Sequence, residues 1–311
     1  MPARTIDSVL LPTDGSDGAL AGAKYGLDLA AAVGADVHIL SVADTSELEG
    51  ISSLLETDMD ERRAAIETEA EAAVEAVATM VEERNPELEV TTTTERGTPF
   101  RVIDRYADAS GIDVIAMGTK GLTGLERVVL GSVTENVLRT VDVPVLAVPP
   151  EAGDSSLTRE TVENILLPTD GSDGAAVAVD WGISLAIAFD AMLHAVTSVD
   201  TSRYMGDPHL DPGAILAELE AVGEEALEAV RRRARDEGVS VTGSVAKGPA
   251  ARVIADYAED NESDLIVMGT HGRSGFERQF LGSVTENVVR TVRTPVVCVP
   301  MGTRRGDDNS H

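Results

Sequence analysis

The sequence contains little cysteine, few aromatic residues and no long apolar run. The single cysteine, Cys298, leaves no partner for an intramolecular disulfide and does not suggest a metal site. Aromatic residues are only 3% of the 311 residues, so any core must be built from Val, Leu, Ile and Ala. No apolar stretch approaches the roughly 18 residues of a membrane span, and no secretory signal pattern opens the chain. These absences predict a soluble, cytoplasmic protein with no membrane partner.

Positive charge is also scarce. Only three lysines occur, Lys24, Lys120 and Lys247, and the formal net charge is -29. This composition argues against a nucleic-acid partner, because such a surface needs basic patches to displace phosphate counterions. The acidic residues are dispersed along the whole chain, which favours a halophilic surface, since the Debye length in 1 M salt is only about 3 Å. An ordinary acidic protein is the alternative.

The chain carries a long internal repeat. "MGTKGLTGLERVVLGS" (117–132) recurs as "MGTHGRSGFERQFLGS" (268–283), and "SVLLPTDGSDGA" (8–19) recurs as "NILLPTDGSDGA" (164–175). The matches keep their order over about 140 residues in each half, which is too long for a solenoid unit and indicates a duplicated domain. The predicted division is a first domain at 1–150, a polar linker at 151–162, a second domain at 163–302 and a disordered tail at 303–311.

Within each copy, short apolar runs alternate with alanine-rich stretches. The runs in the first copy predict buried parallel strands at Ser8–Leu11, Val37–Val42, Val90–Thr94, Val114–Met117 and Val145–Val148. The predicted helices are Ala19–Val33, Leu55–Arg84, Pro99–Ala109 and Ser132–Thr140. This alternation predicts an α/β protein with two tandem Rossmann-like domains, each a five-stranded parallel sheet flanked by helices. The fifth strand is expected at a sheet edge.

Two loops in each copy reach the place where such sheets bind ligands, beyond the carboxyl ends of the strands. One is "PTDGS" after the first strand, and the other is the glycine loop after the fourth, with Gly118, Gly121 and Gly131 followed by Ser132. Glycines allow positive φ and close backbone approach, and the following helix start adds unpaired N–H groups, so the loop suits an anion. The alternative is that these glycines only shape a turn. Neither a P-loop nor a G-x-G-x-x-G dinucleotide motif is present.

The spacing G-x2-G-x9-G-[ST] after a strand ending in Met, with the early "PTDGS", resembles the universal stress protein (UspA-like) family. The resemblance covers nearly the whole chain as two tandem domains. It implies an adenine nucleotide alpha hydrolase-like fold that binds ATP, or ADP or AMP. The nucleotide-binding residues implied in the first copy are Pro12, Thr13, Asp14, Val42, Met117, Gly118, Gly121, Gly131, Ser132, Val133 and Thr134. Those implied in the second copy are Pro168, Thr169, Asp170, Ser198, Met268, Gly269, Gly272, Gly282, Ser283, Val284 and Thr285.

Several of these assignments have a plain structural alternative. By the resemblance, Asp14 and Asp170 lie near the ribose and phosphates, and their oxygens could hold a phosphate-bound Mg²⁺. An Asx turn before the first helix accounts for them equally well. Met117 and Met268, which the resemblance places against adenine, could be ordinary core residues. The copies also differ, because Val42 corresponds to Ser198 and Lys120 to His271, so equal affinities are not expected.

No catalytic residue is predicted. His38 and His194 are the only repeated histidines, and both lie inside the second predicted strand. The leading hypothesis is a non-enzymatic, ATP-binding regulator of the stress response. A weak ATPase or phosphotransferase is one alternative, and a scaffold that does not use nucleotide is another. Apolar fifth strands invite edge pairing, which predicts an intramolecular pseudo-dimer of the two domains and leaves a homodimer open.

Overall fold

The computed structural model describes residues 4–45, 56–120, 130–152, 155–202, 211–272 and 281–302. The chain divides into two units. The N-terminal unit is Ile6–Ser156, and the C-terminal unit is Leu157–His311 together with Met1–Thr5. Three sequence expectations lie outside the described residues: Leu55 as the start of a helix, Gly121 in the first glycine loop, and the tail at 303–311.

The N-terminal unit alternates strands and helices. Its strands are β1 Ser8–Pro12, β2 Asp36–Ala43, β3 Val90–Arg96, β4 Val114–Gly118 and β5 Val145–Val148. Its helices are α1 Asp17–Val33, α2 Glu56–Arg84, α3 Pro99–Ala109 and α4 Ser132–Thr140. The strand order is β3-β2-β1-β4-β5, and every pair in this order is parallel. The chain reverses its direction of winding between β1 and β4, which opens a crevice at their carboxyl ends.

The C-terminal unit repeats this arrangement. Its strands are β6 Asn164–Pro168, β7 Met192–Val199, β8 Val241–Lys247, β9 Leu265–Gly269 and β10 Val296–Val299. Its helices are α5 Asp173–Phe189, α6 Pro212–Asp236, α7 Ala250–Asp260 and α8 Ser283–Thr291. The order is β10-β9-β6-β7-β8, again parallel. The corresponding crevice lies between β6 and β9.

The α/β prediction, with a five-stranded parallel sheet and flanking helices in each copy, is confirmed. The Val, Leu and Ile side chains of the central strands β1, β4, β6 and β9 are buried, as their continuous apolar runs indicate. The third strand is different: β3 is largely exposed, although a buried strand was predicted there. It lies at the end of the sheet opposite β5, where only one neighbouring strand covers it. Its run of threonines is consistent with this edge position.

Helix α1 lies unusually close to β4. A Cβ placed on Gly22 would be 2.3 Å from the backbone N of Gly118, so a side chain there would collide with the end of the strand. The helix begins at a serine cap, in which Ser16 Oγ accepts from Ala19 N at 3.2 Å. The close packing of Gly22 against the end of β4 holds the start of α1 beside the crevice. Among the helices in the described parts of the chain, none is long and apolar enough to cross a membrane.

Candidate functional site

The first site loop follows β1 and β6 and has the same geometry in both units. Asp14 Oδ1 accepts from Ser16 N at 3.0 Å, and Asp170 Oδ1 accepts from Ser172 N at 3.0 Å. The glycine between each pair has a φ near +75°, a left-handed conformation that favours glycine. The Asx turn considered as an alternative is therefore present. It engages one carboxylate oxygen of each aspartate.

The second oxygen of Asp170 lies beside the glycine loop. A Cβ built on Gly272 would be 2.9 Å from Asp170 Oδ2. The loop after β9 and the loop after β6 thus meet at the crevice, as the strand order requires. The sequence placed these two residues in one site, and the structure brings them together.

The first glycine of each loop is required for close approach and not for positive φ. None of Gly118, Gly131, Gly269, Gly272 and Gly282 is among the residues with positive φ. A Cβ on Gly118 would lie 2.0 Å from the carbonyl oxygen of Gly18, and one on Gly269 would lie 2.8 Å from that of Gly174. The first glycine of each loop therefore lets the strand end pass against a helix start. Of the two roles expected for these glycines, only close approach is observed.

The helices that follow the glycine loops begin without a side-chain cap. Gly282 is the N-cap of α8, with φ -59° and ψ 137°, and no side chain caps this end. The first backbone bond of the helix runs from Glu286 N to Gly282 O at 2.9 Å. The N–H groups of Ser283, Val284 and Thr285 in the first turn therefore make no intrahelical bond. They lie at the positive end of the helix dipole, which favours an anion. Gly131 starts α4 in the same way.

A threonine hydroxyl attaches each of these helix starts to the strand before it. Thr285 Oγ1 donates to Gly269 O at 2.8 Å, and Thr134 Oγ1 donates to Gly118 O at 2.8 Å. Both threonines are buried. Their side chains hold the helix in place, so only their backbone groups remain to face a ligand.

The C-terminal site contains a cavity of about 240 Å³. Every nucleotide-binding residue expected in the second copy lies on its wall. The wall residues that the sequence reasoning missed are Ala175, Val196, Ala250, Val253, Ile254 and His271. Helix α7 supplies three of them, Ala250, Val253 and Ile254, because it begins at the carboxyl end of β8 and so reaches the same edge of the sheet. The predicted alternation of strands and helices already implied that a helix begins at this edge of the sheet after β8.

The wall of this cavity has an apolar part and a polar part. Met268, Val196 and Ile254 are each at most 4% exposed and provide aliphatic and thioether surface. Asp170, together with the loop and helix N–H groups, provides the polar part. Met268 is thus both a core residue and a cavity residue, so its two expected roles are compatible.

His271 differs from its counterpart Lys120 in what it contacts. His271 Nδ1 is 2.9 Å from Thr270 Oγ1, whereas its Nε2 is shielded from solvent and has no hydrogen-bond partner within the described chain. In the N-terminal unit, Lys120 Nζ is 3.9 Å from Glu151 Oε1. The two sites therefore present different side chains at the same loop position.

The N-terminal site can be described except for Gly121. Pro12 ends β1, and Thr13 and Asp14 follow it. Val42 lies near the end of β2, and Met117 and Gly118 end β4. The start of α4 supplies Ser132, Val133 and Thr134 after the N-cap Gly131. All these residues lie at the carboxyl edge of one sheet, as the sequence predicted.

The repeated histidines lie outside the cavity wall. His38 Nδ1 is 3.0 Å from Tyr106 Oη, and His194 Nδ1 is 3.3 Å from Tyr257 Oη. Burial lowers the pKa of both imidazoles below the ordinary value of 6.5. Across the described ranges, no group of three or more His, Cys, Asp or Glu side chains is arranged to hold a metal ion.

Comparisons with known proteins agree with this architecture. The family model described as "Universal stress protein family" matches residues 5–149 and 161–300. A universal stress protein of Synechocystis sp. is 27% identical over an alignment of 314 residues, which covers 94% of this chain and 99% of that protein. One from Methanocaldococcus jannaschii is 39% identical over 138 residues, which covers 44% of this chain and 81% of the relative.

A solved structure supports the fold. The crystal structure of a universal stress protein from Archaeoglobus fulgidus superposes with a TM-score of 0.66 at 24% identity, covering 98% of each chain. Both the repeated sequence matches and the repeated α/β architecture lead to one assignment. The chain belongs to the universal stress protein family and carries two of its domains in tandem.

Proposed function

We propose that each unit binds an adenine nucleotide, ATP in the first instance, at the carboxyl edge of its sheet. The protein would then act in the stress response as a nucleotide-dependent regulator. One observation carries the proposal: the eleven residues expected for the second copy all line a single cavity. A sequence pattern that merely shaped turns would not require these residues to converge on one cavity.

The apolar part of the C-terminal cavity suits a purine. Met268, Val196 and Ile254 offer a buried surface against which a flat ring can pack, and methionine adapts readily to such surfaces. Ser198, which stands where the first copy has Val42, adds a hydroxyl to this wall. We therefore expect the base to bind in both units, with weaker apolar packing in the second.

The polar part suits phosphate. The N–H groups at the start of α8 and the exposed backbone of Gly272 are donors that need no cationic side chain. This matters in a chain with only three lysines. Asp170 Oδ1 is engaged in its turn, and Oδ2 faces the loop. A single carboxylate oxygen beside the phosphates fits Mg²⁺, which keeps most of its waters and is bound through one or two carboxylates plus phosphate.

Binding without turnover is the reading that the described residues support best. Hydrolysis needs a base placed to activate water. The cavity wall offers Asp170, which is already an acceptor in the Asx turn, and His271, whose Nδ1 is next to Thr270. Both side chains therefore already take part in local hydrogen bonds. A weak ATPase remains the second candidate and predicts a different bound nucleotide.

Mass spectrometry of nucleotide released from freshly purified, denatured protein tests the proposal. We expect intact ATP from the wild-type chain and none from a variant with Gly121→Val and Gly272→Val. ADP or AMP from the wild-type chain would favour turnover. A wild-type chain that releases no nucleotide and takes none up on incubation with ATP would favour the scaffold alternative.

A further inference from the structure

A second cavity adjoins the C-terminal nucleotide site. Its volume is about 390 Å³, larger than the 240 Å³ of the first. The two cavities share five wall residues: Asp170, Ser198, Ala250, Ser283 and Val284. They are therefore two parts of one cleft. We call the second part the extension. The wall residues that belong to it alone are Thr197, Val199, Asp200, Leu219, Val222, Gly223, Pro249, Ala251 and Asn287.

The start of α8 lies at the junction of the two parts. Ser283 and Val284 line both cavities, and they open the helix whose N–H groups are proposed to bind phosphate. A phosphate bound there borders the extension directly. Whatever is attached to the terminal phosphate of the nucleotide can therefore continue into the extension without leaving the cleft.

The chemistry of the extension excludes more phosphate and favours hydroxyl groups. Asp170 and Asp200 place two carboxylates on its wall, and no lysine or arginine lines it among the described residues. A further anion would be repelled. Carboxylates, the Thr197 hydroxyl and the Asn287 amide are suited to hydrogen bonds with sugar hydroxyls.

Apolar residues cover another part of the extension. Val199 is buried at the end of β7, whereas Leu219 and Val222 lie on α6. Val222 is 39% exposed, so its side chain is accessible to a ligand in the extension. Gly223 lets the helix approach, since a Cβ there would be 2.8 Å from Thr197 Cγ2. A wall that combines aliphatic surface with carboxylate and amide groups fits the two faces of a sugar ring.

The geometry points to an adenine nucleotide that carries a sugar on its terminal phosphate, of the ADP-ribose class, as a ligand that the C-terminal site binds more tightly than ADP. This inference rests on the proposed nucleotide binding at the same site. The volumes support it, because a cavity of 240 Å³ falls below the roughly 300–1,000 Å³ of most small-molecule sites, and the extension brings the cleft into that range. Adenine lies against Met268, the phosphates lie at α8, and the distal sugar occupies the extension.

Titration calorimetry with ADP and ADP-ribose tests the inference. A chain with Gly121→Val, which disables the N-terminal loop, restricts the signal to the C-terminal site. We expect ADP-ribose to bind at least tenfold more tightly than ADP. Val222→Trp should fill the extension and remove that advantage while ADP binding stays unchanged, and Val222→Ala should retain it.

The outcomes separate this inference from the proposed function. If ADP and ADP-ribose bind with equal affinity, or if Val222→Trp weakens both alike, the sugar subsite is wrong and nucleotide binding stands. If the chain binds neither ligand and does not bind ATP, both proposals are wrong for the C-terminal site. The comparison of the two ligands on the chain with an intact Val222 decides the matter even where Val222→Trp fails to fold.

Discussion

Gly272 and Asp170 face each other so closely that a Cβ on the glycine would lie 2.9 Å from Asp170 Oδ2. One residue belongs to the loop after β9 and the other to the loop after β6, about a hundred positions earlier in the sequence. The space between them is the polar end of the C-terminal cavity. A side chain at position 272 would therefore occupy the place proposed for phosphate.

Replacement of Gly272 by Val should abolish nucleotide binding in the C-terminal unit. The new side chain meets a side-chain oxygen rather than backbone, so the fold should tolerate it. Equilibrium dialysis with ATP should show one binding equivalent lost from the chain. Gly121→Val should remove the other equivalent and serves as the matched variant of the N-terminal loop. Unchanged stoichiometry in both variants would refute the proposed anion sites.

Gly118 should behave differently from Gly272. A Cβ at Gly118 would lie 2.0 Å from the Gly18 carbonyl oxygen, and relief of this clash would require β4 or the start of α1 to move. Gly118→Ala should lower the free energy of unfolding by about 1–3 kcal/mol, the usual cost of overpacking. Urea unfolding measures this loss without changing ionic strength. Gly213→Ala is the control, because a Cβ there meets only Asp211 Oδ1 at 3.3 Å. Equal stability of the two variants would contradict the close-approach role.

The buried histidines should make stability fall in mild acid. Burial lowers the pKa of His38 and His194, an effect that Asp36 partly opposes at His38. The folded state therefore disfavours the imidazolium, so the stabilisation is complete above the unfolded pKa of 6.5 and is lost as the pH falls through the lower folded values. The double variant His38→Gln, His194→Gln should lose less unfolding free energy than the wild type between pH 7 and pH 5. Parallel pH profiles of the two proteins would count against this account.

Cys298 should be inert in the folded protein. It is fully buried in β10, and burial raises the pKa of its thiol to about 12. Because the thiolate is the reactive form, a disulfide reagent should modify it only after the C-terminal unit opens. Labelling should therefore be slow in native buffer and complete in urea. Rapid labelling of the native chain would show that β10 is accessible.

Stability should fall as salt is removed. The net charge of -29 is spread over the chain, and screening of its self-repulsion weakens as the Debye length grows. The melting temperature should decrease from molar KCl to dilute buffer. A neutral osmolyte such as sucrose acts by exclusion from the surface and should not reproduce the salt dependence. A melting temperature independent of KCl would identify an ordinary acidic protein.

Much of the fold could be predicted because local pattern and tertiary position agree. The continuous apolar run of β1 is a central strand, and the proline that starts α3 occupies the first helical position. In the second copy the corresponding proline, Pro249, is the N-cap of α7 and lies one position before the helix. The burial of β3 was also misjudged, because strand composition does not reveal how many neighbours a strand has.

The sequence was sufficient to predict which residues form the site, but it did not reveal all the contacts that hold them in place. The repeat and the rule for open α/β sheets identified the loops that hold Asp170 and Gly272. They did not show that Gly118 is required by the Gly18 carbonyl, because that contact joins elements distant in sequence. The contribution of α7 and the extension beyond Ser283 depend on how helices pack around the crevice. The pairing of the fifth strands stays a prediction.

Titration of nucleotide-free protein with ATP, by calorimetry in molar KCl, tests the central claim most directly. The account predicts saturable binding with two equivalents per chain, of unequal affinity because Val42 and Lys120 are replaced by Ser198 and His271. It also predicts a single equivalent in the Gly272→Val chain. Absence of saturable binding at millimolar ATP, in a chain that unfolds cooperatively, would contradict the account.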